Sequence, residues 1–134
     1  MIDVESSVFT TIATALRTAF QGIYVAGEYV MQPPAFPAVL IVEMNNSVYR
    51  SGSDSGSIEN FADVMYQVDV YSNKTRGKKD ECKSIMAMVD TEFQKMGFTR
   101  TFLNPVQNMN DATIYRMTGR YRAIVGKDNY TYRR

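Results

Sequence analysis

The chain has 134 residues, a length that suits one domain with a single hydrophobic core. Its 15 lysine and arginine residues nearly balance its 14 aspartate and glutamate residues, so the charge of the whole molecule attracts neither nucleic acid nor an anionic membrane. Histidine is absent, which removes the commonest general base and metal ligand and argues against an enzyme.

The first part of the chain predicts one helix and two strands. Apolar residues within 4–20 recur at three- and four-residue spacing, which predicts an amphipathic helix with Asp3 at its start and Gly22 beyond its end. The segment IYV, residues 23–25, predicts a short strand. The proline cluster QPPAFPAV excludes helix and leads into the apolar run 38–42, which has the pattern of a strand covered on both faces.

Residues 45–60, NNSVYRSGSDSGSIEN, predict a long flexible hairpin loop. The SGSDSGS stretch has no apolar side chain to bury, and its small residues lose much backbone freedom when they become ordered. Asp54 within it suggests a calcium loop, but the further acidic ligands and the terminal glutamate of such a loop are missing. We therefore expect a mobile loop and no metal site.

The second part of the chain predicts a strand, a helix and two more strands. Residues 61–72 alternate, with the apolar side chains of the even-numbered positions on one face. Residues 78–96 carry an apolar stripe at helical spacing that ends before Gly97. The segments FTRTFL and ATIYRMTGRYRAIV predict strands joined by a polar connection, and the tail 127–134 is expected to fray.

These elements predict a single α+β domain over residues 1–134. Two helices are expected to pack on one face of a mainly antiparallel sheet of four to five strands, with the long flexible hairpin loop joining two of them. No apolar run is long enough to span a membrane, and the N-terminus lacks the features of a signal peptide. A cytoplasmic protein is therefore expected.

Cys82 is the sole cysteine and the only candidate nucleophile. Lys78, Lys79 and Lys83 surround it at the start of the predicted helix, where positive charge lowers the pKa of a thiol. However, it lies on the apolar stripe of that helix and has no evident base partner. We interpret it as a small buried side chain, and we expect no catalytic residue and no cofactor, since glycine-rich phosphate-binding motifs are also absent.

The segment YRMTGRYRAIVG, residues 115–126, carries an arginine row. In an extended chain, Arg116, Arg120 and Arg122 lie on one face with a spacing of about 7 Å for each two-residue step, comparable to phosphate spacing. This pattern suggests a small nucleic-acid-binding module. The tyrosines of the segment lie on the opposite face, however, and cannot stack bases beside the arginines.

Two aspartates offer the arginine row a different role. Asp63 and Asp69 lie on one face of the predicted strand 61–72, and on an antiparallel neighbour they could pair with the arginines, at up to about 1 kcal/mol for each pair. The arginines could also contact a neighbouring subunit. The sequence leaves these three roles open.

Three stretches of the chain are similar to one family: GIYVAGEYVMQPPAFPAVLIVE, YQVDVYSNKTRGKKDECKSIMAMVDTEFQKMGF and NMNDATIYRMTGRYRAIV. They resemble the tail-terminator, or tail-completion, proteins of long-tailed bacteriophages, which belong to the small ring-forming α+β proteins of the head-to-tail joint. The resemblance implies a homohexameric ring that binds the end of the growing tail tube, stops its polymerisation and joins the tail to the head connector. It implies no catalysis and no cofactor.

The resemblance also implies partners and a location. The expected partners are further copies of the chain, the major tail tube protein and a head–tail connector protein, with DNA only passing through the ring lumen and no membrane. The protein would belong to the virion tail or neck and would assemble in the host cytoplasm. A head-side connector or stopper protein is the alternative within this class. The candidate residues for contacts with other subunits or with the tube are Tyr49, Arg50, Ser53, Asp54, Ser55, Arg116, Arg120 and Arg122.

Overall fold

The computed structural model describes residues 1–49, 60–107, 111–128 and 131–132. Its helices and strands are, in chain order, α1 (Glu5–Ala19), β1 (Tyr24–Ala26), β2 (Ala38–Tyr49), β3 (Phe61–Ser72), α2 (Lys78–Lys95), β4 (Thr99–Val106), β5 (Tyr115–Gly126) and β6 (Thr131–Tyr132). The strand order is β1-β2-β3-β5-β4, and β6 also pairs with β5. Only the β1–β2 pair is parallel among the described pairs. The predicted α+β class and mainly antiparallel sheet are confirmed.

Both helices pack on one face of the sheet, as predicted. The buried side chains of α1 are Val8, Ile12, Ala13 and Leu16, and those of α2 are Cys82, Ile85, Met86, Val89 and Phe93. Beneath them, the even-numbered side chains of β3 from Ala62 to Val70 are fully buried in the same core. Because side chains alternate along a strand, the odd-numbered residues of β3 lie on the opposite side, which we call the open face.

Aromatic rings join α2 to the sheet. The ring of Phe93 stacks on that of Tyr121, with 4.2 Å between centroids, and meets Phe98 edge to face at 5.1 Å. Tyr66 meets Phe98 at 5.7 Å. Such pairs contribute about 0.5–1.5 kcal/mol each beyond the burial of their area. The face of β5 that carries Tyr121 is therefore covered by α2. The alternation of residues 115–126 predicts that a helix covers this face.

The helix boundaries agree with the sequence pattern to within one residue. The backbone N–H of Glu5, the first residue of α1, donates to Asp3 Oδ1 at 3.1 Å. Asp3 therefore accepts a hydrogen bond from the start of the helix, as predicted. Gly22 and Gly97 follow the two helices with φ values of 78° and 87°. These values lie in the left-handed region that favours glycine after a helix.

The β2–β3 hairpin is longer than the sequence predicts. The sequence pattern places residues 45–49 in the flexible loop, yet they form the end of β2 and pair with 61–65 of β3 after a register shift between Glu43 and Asn45. The prediction was wrong here because polar residues pair through their backbone when a neighbouring strand offers free hydrogen-bonding groups. Residues 50–59 lie outside the described ranges, so their predicted mobility stays a prediction.

Part of the C-terminal tail also pairs. Thr131 and Tyr132, predicted to fray, form β6 opposite Val125 and Ile124 of β5. Thr131 fits beside Gly97, where a Cβ atom would come within 2.9 Å of the threonine side chain. The prediction was wrong for these two residues. Their pairing depends on the space beside Gly97, which exists only once the chain has folded. Residues 129–130 and 133–134 lie outside the described ranges.

Candidate interaction surface

The open face carries the arginine row and its partners. The polar side chains of its centre are Asp63, Gln67 and Asp69 on β3 and Arg116, Thr118, Arg120 and Arg122 on β5. The two strands are antiparallel neighbours, so these side chains stand next to one another across the pair. Val30 and Phe36 cover one end of the same face.

Asp69 is a buried carboxylate at the centre of this surface, with 4% of its surface exposed. Its Oδ1 accepts hydrogen bonds from Arg116 Nε at 3.1 Å and from the Thr118 hydroxyl at 2.5 Å, and Arg116 Nη2 lies 3.0 Å away. Its Oδ2 accepts from Gln67 Nε2 at 3.1 Å. A buried charge of this kind is tolerated because donors and a cation replace the water it has lost.

The other two arginines are also engaged within the sheet. Arg122 holds Asp63 with two parallel hydrogen bonds, from Nε to Oδ1 at 2.8 Å and from Nη2 to Oδ2. The hydrogen bond and the charge of Asp63 raise the pKa of Arg122. Arg120 Nε donates to Gln67 Oε1 at 3.0 Å, and its guanidinium lies 5.1 Å from the centre of the Phe102 ring.

Of the three roles that the sequence leaves open for the arginine row, the structure shows pairing with Asp63 and Asp69 for Arg122 and Arg116. Each aspartate neutralises one arginine, and among the described contacts only Arg120 binds a neutral amide instead of a carboxylate. Arg120 is also the exposed member of the row. The row thus presents one uncompensated cation to a partner, which weakens the case for a phosphate-binding strip.

Of the remaining predicted residues, Tyr49 is within the described ranges. Tyr49 ends β2, pairs with Phe61 and lies close enough to Arg122 to affect its pKa. Arg50, Ser53, Asp54 and Ser55 lie outside the described residues. The structure therefore places Tyr49 and the arginine row on the same face. Their role in contacts with subunits or with the tube stays a prediction.

A groove that no sequence pattern predicted lies between the first half of α1 and the sheet edge formed by β1 and β2. Its volume is about 620 Å³. Asp3, Glu5 and Glu28 line it together with the rings of Phe9, Tyr24 and Tyr66, and we call it the acidic groove. These residues are far apart in the chain, and only the parallel pairing of β1 with β2 beneath α1 brings them together. The sole sequence signal was the acidic start of the first helix.

The acidic groove concentrates like charges. Burial, followed by the nearby carboxylates of Glu43 and Asp3, raises the pKa of Glu5. The hydroxyl of Tyr66 donates to Glu43 Oε2 at 2.7 Å, and burial and this bond raise the pKa of Tyr66. No lysine or arginine is among the described residues that line the groove. A cation from another molecule would therefore be favoured there.

Cys82 is a buried core thiol, as its position on the apolar stripe predicts. Its Sγ lies 3.6 Å from the carbonyl oxygen of Val70 and 3.7 Å from that of Tyr115. Burial raises its pKa to about 12, so the thiolate is scarce at neutral pH.

Within the described ranges, no three carboxylate or thiol groups are arranged to hold a metal ion. Among the described residues, no helix is long and apolar enough to cross a membrane.

Comparison with known proteins gives one family match. A family model described as tail completion protein gp17 matches residues 8–126. The matched segment contains α2, all of β1 to β5 and most of α1, so it covers both sides of the sheet. A search of curated proteins gave no significant match.

Proposed function

Because the chain belongs to the family of phage tail completion proteins described as gp17, we propose that it forms a ring that caps the tail tube, ends its polymerisation and joins the tail to the head connector. The family match itself establishes the coarser role, a structural protein of bacteriophage tail assembly, and indicates a component of the virion tail. The finer statements, including a homohexamer, are the proposal.

The observation that carries the proposal is the family match over nearly the whole fold. The surfaces described above are consistent with a protein that works by contact. The open face holds a network of paired charges, and the acidic groove offers a site for a cation. Cys82, the one candidate nucleophile, is buried with a raised pKa. We therefore assign the protein a binding role, with no catalytic step and no cofactor.

The proposed partners are further copies of the chain, the major tail tube protein and the head–tail connector protein. The test uses tail tubes from a phage that lacks this gene and a concentration series of the purified protein. We expect tubes of uniform length with a ring at one end in electron micrographs, and native mass spectrometry gives the number of subunits. A protein that stays monomeric and does not cap the tubes contradicts the proposal. Its recovery on DNA-filled heads without tails would assign it to the head side instead.

A further inference from the structure

We propose that the acidic groove of one subunit receives a basic turn of the next subunit, so that neighbouring subunits bind head to tail through opposite charges. This inference rests on the proposed ring and identifies the surfaces that join its subunits. The basic turn is defined by Lys74, Arg76, Lys78, Lys79 and Lys83, which lie between the end of β3 and the first turns of α2.

The basic turn is a local excess of positive charge. Lys74, Arg76, Lys79 and Lys83 are exposed, and Lys78 is half-buried. None of the ion pairs found in the described ranges uses any of these five cations. Two carboxylates lie nearby, and that of Glu81 accepts a hydrogen bond from the Ser72 hydroxyl at 2.6 Å. The basic turn therefore has charge to offer to a partner.

Asp80 and Glu81 in the first turn of α2 suit the helix terminus, whereas the position of the lysines is not explained by the stability of this helix. Lys78 and Lys79 occupy the first turn of the helix, where the partial positive charge of the backbone N–H groups repels cations. Gly77, the residue before the helix, makes no side-chain cap. An external carboxylate at this end would bind both the lysines and the helix terminus.

The acidic groove has the complementary chemistry. Asp3, Glu5 and Glu28 are exposed at its rim, and Glu43 lies beside Tyr66 in its wall. Its apolar surface includes Phe9 and Ile41. Lysine and arginine place their methylene stems on such surfaces while the charged end stays at a polar rim. The groove therefore suits basic side chains in both its polar and its apolar parts.

The two surfaces belong to different parts of the subunit. The groove is lined by residues of α1, β1, β2 and β3, whereas the basic turn lies between the end of β3 and the start of α2. The groove residue Tyr24 pairs with Ala38, which pairs with Tyr71, so two strand spacings, about 10 Å, separate the groove from the end of β3. Two copies that join through two different surfaces make a heterologous contact. Repetition of such a contact closes into a ring when the rotation between subunits allows it.

The first experiment reverses each surface separately. Lys78→Glu/Lys79→Glu and Glu5→Lys/Glu28→Lys change exposed or half-buried side chains, so we expect thermal unfolding close to that of the wild type. Self-association and capping of tubes should weaken at least about tenfold in each variant. Lys127→Glu reverses an exposed lysine outside both surfaces and is the matched control. If the groove reversal disturbs folding, Glu5→Gln/Glu28→Gln removes the charge without reversing it and should still weaken association.

The decisive experiment mixes the two reversed variants. Each variant alone carries like charges on both surfaces and should associate at least about tenfold more weakly than the wild type. In the mixture, the reversed turn of one fits the reversed groove of the other, and the two native surfaces fit each other. We therefore expect assemblies in which the two variants alternate, and the variant with all four changes should recover self-association.

The outcomes separate this inference from the proposed function. Capping by wild type and by both variants to the same extent overturns the inference and leaves the ring proposal standing. Failure of the mixture to associate overturns the inference as well. A groove variant that self-associates but no longer binds tubes shows that the tube protein occupies the groove, which also overturns it. A wild-type protein that neither self-associates nor caps tubes overturns both proposals.

Discussion

At the scale of single residues, the open face shows how a sheet accommodates charges that a sequence places on one side of a strand. Asp69 is almost fully buried and accepts hydrogen bonds from Arg116, Thr118 and Gln67. Asp63, at the more exposed end, pairs with Arg122 alone among the described side-chain donors. The two aspartates have the same chemistry and differ in burial, so they should differ in their contribution to stability.

We predict that Asp69→Ala lowers the free energy of unfolding by about 3 kcal/mol, because it leaves Arg116 and Thr118 without their acceptor at a site shielded from water. Asp63→Ala is the control and should cost less, about 1 kcal/mol, since its ion pair with Arg122 is only partly buried. Urea unfolding followed by circular dichroism measures both changes. Equal losses of unfolding free energy in the two variants would show that the burial of Asp69 does not increase its contribution to stability.

Cys82 gives a prediction about pH. Burial raises the pKa of its thiol to about 12 in the folded protein, whereas the unfolded thiol keeps its ordinary pKa. The unfolded chain therefore loses this proton first as the pH rises, and stability falls between the two values. Between about pH 7 and pH 10, wild type should lose about 2 kcal/mol more than Cys82→Ala. Urea unfolding at both pH values measures this loss of unfolding free energy. The same pH dependence in wild type and in Cys82→Ala would contradict the burial of the thiol.

At the scale of elements, the end of α2 is joined to the tail through one glycine. Gly97 adopts φ 87°, and Thr131 of β6 occupies the space where its side chain would be. Gly22, after α1, has a similar φ of 78°, with nothing within 4 Å of the corresponding position. The two glycines thus share a backbone conformation and differ only in their neighbours.

We predict that Gly22→Ala lowers the free energy of unfolding by about 1 kcal/mol, which is the strain of an L-residue in the left-handed region. Gly97→Ala should cost more, because its methyl group also displaces Thr131. Hydrogen exchange should then become faster at Ile124, the residue opposite Tyr132, because alternation along β5 turns its N–H towards β6, and only in the Gly97 variant. Equal stability losses together with unchanged exchange would mean that β6 does not depend on Gly97.

At the scale of the whole molecule, a net charge of +1 conceals an uneven distribution. Carboxylates gather at the acidic groove, and cations that take part in no ion pair among the described residues gather at the basic turn. A near-neutral protein with separated opposite charges is suited to bind copies of itself. The nucleic-acid alternative would require the arginine row to neutralise phosphates. Because Asp63 and Asp69 hold two of its three members, we favour assembly over nucleic-acid binding.

The parts of the fold that the sequence predicted are those with a strong local pattern. The apolar stripes placed both helices to within one residue, and the alternation of residues 61–72 identified its buried face. Alternation offered the pairing of Asp63 and Asp69 with arginines as one possibility, and the adjacency of β3 and β5 decided it. Residues 45–49 and β6 were missed because their side chains show no such pattern and their pairing depends on a neighbour.

The sequence by itself determined the fold class, the buried faces of α1, α2 and β3 and the membership of a phage tail completion family. Those properties depend on periodicity and on the order of residues along the chain. Only the tertiary structure decided that the arginine row is largely neutralised and that Asp3, Glu5 and Glu28 share one groove. Both outcomes depend on distances between residues remote in sequence, which are set when the strands pair and α1 packs over the sheet edge.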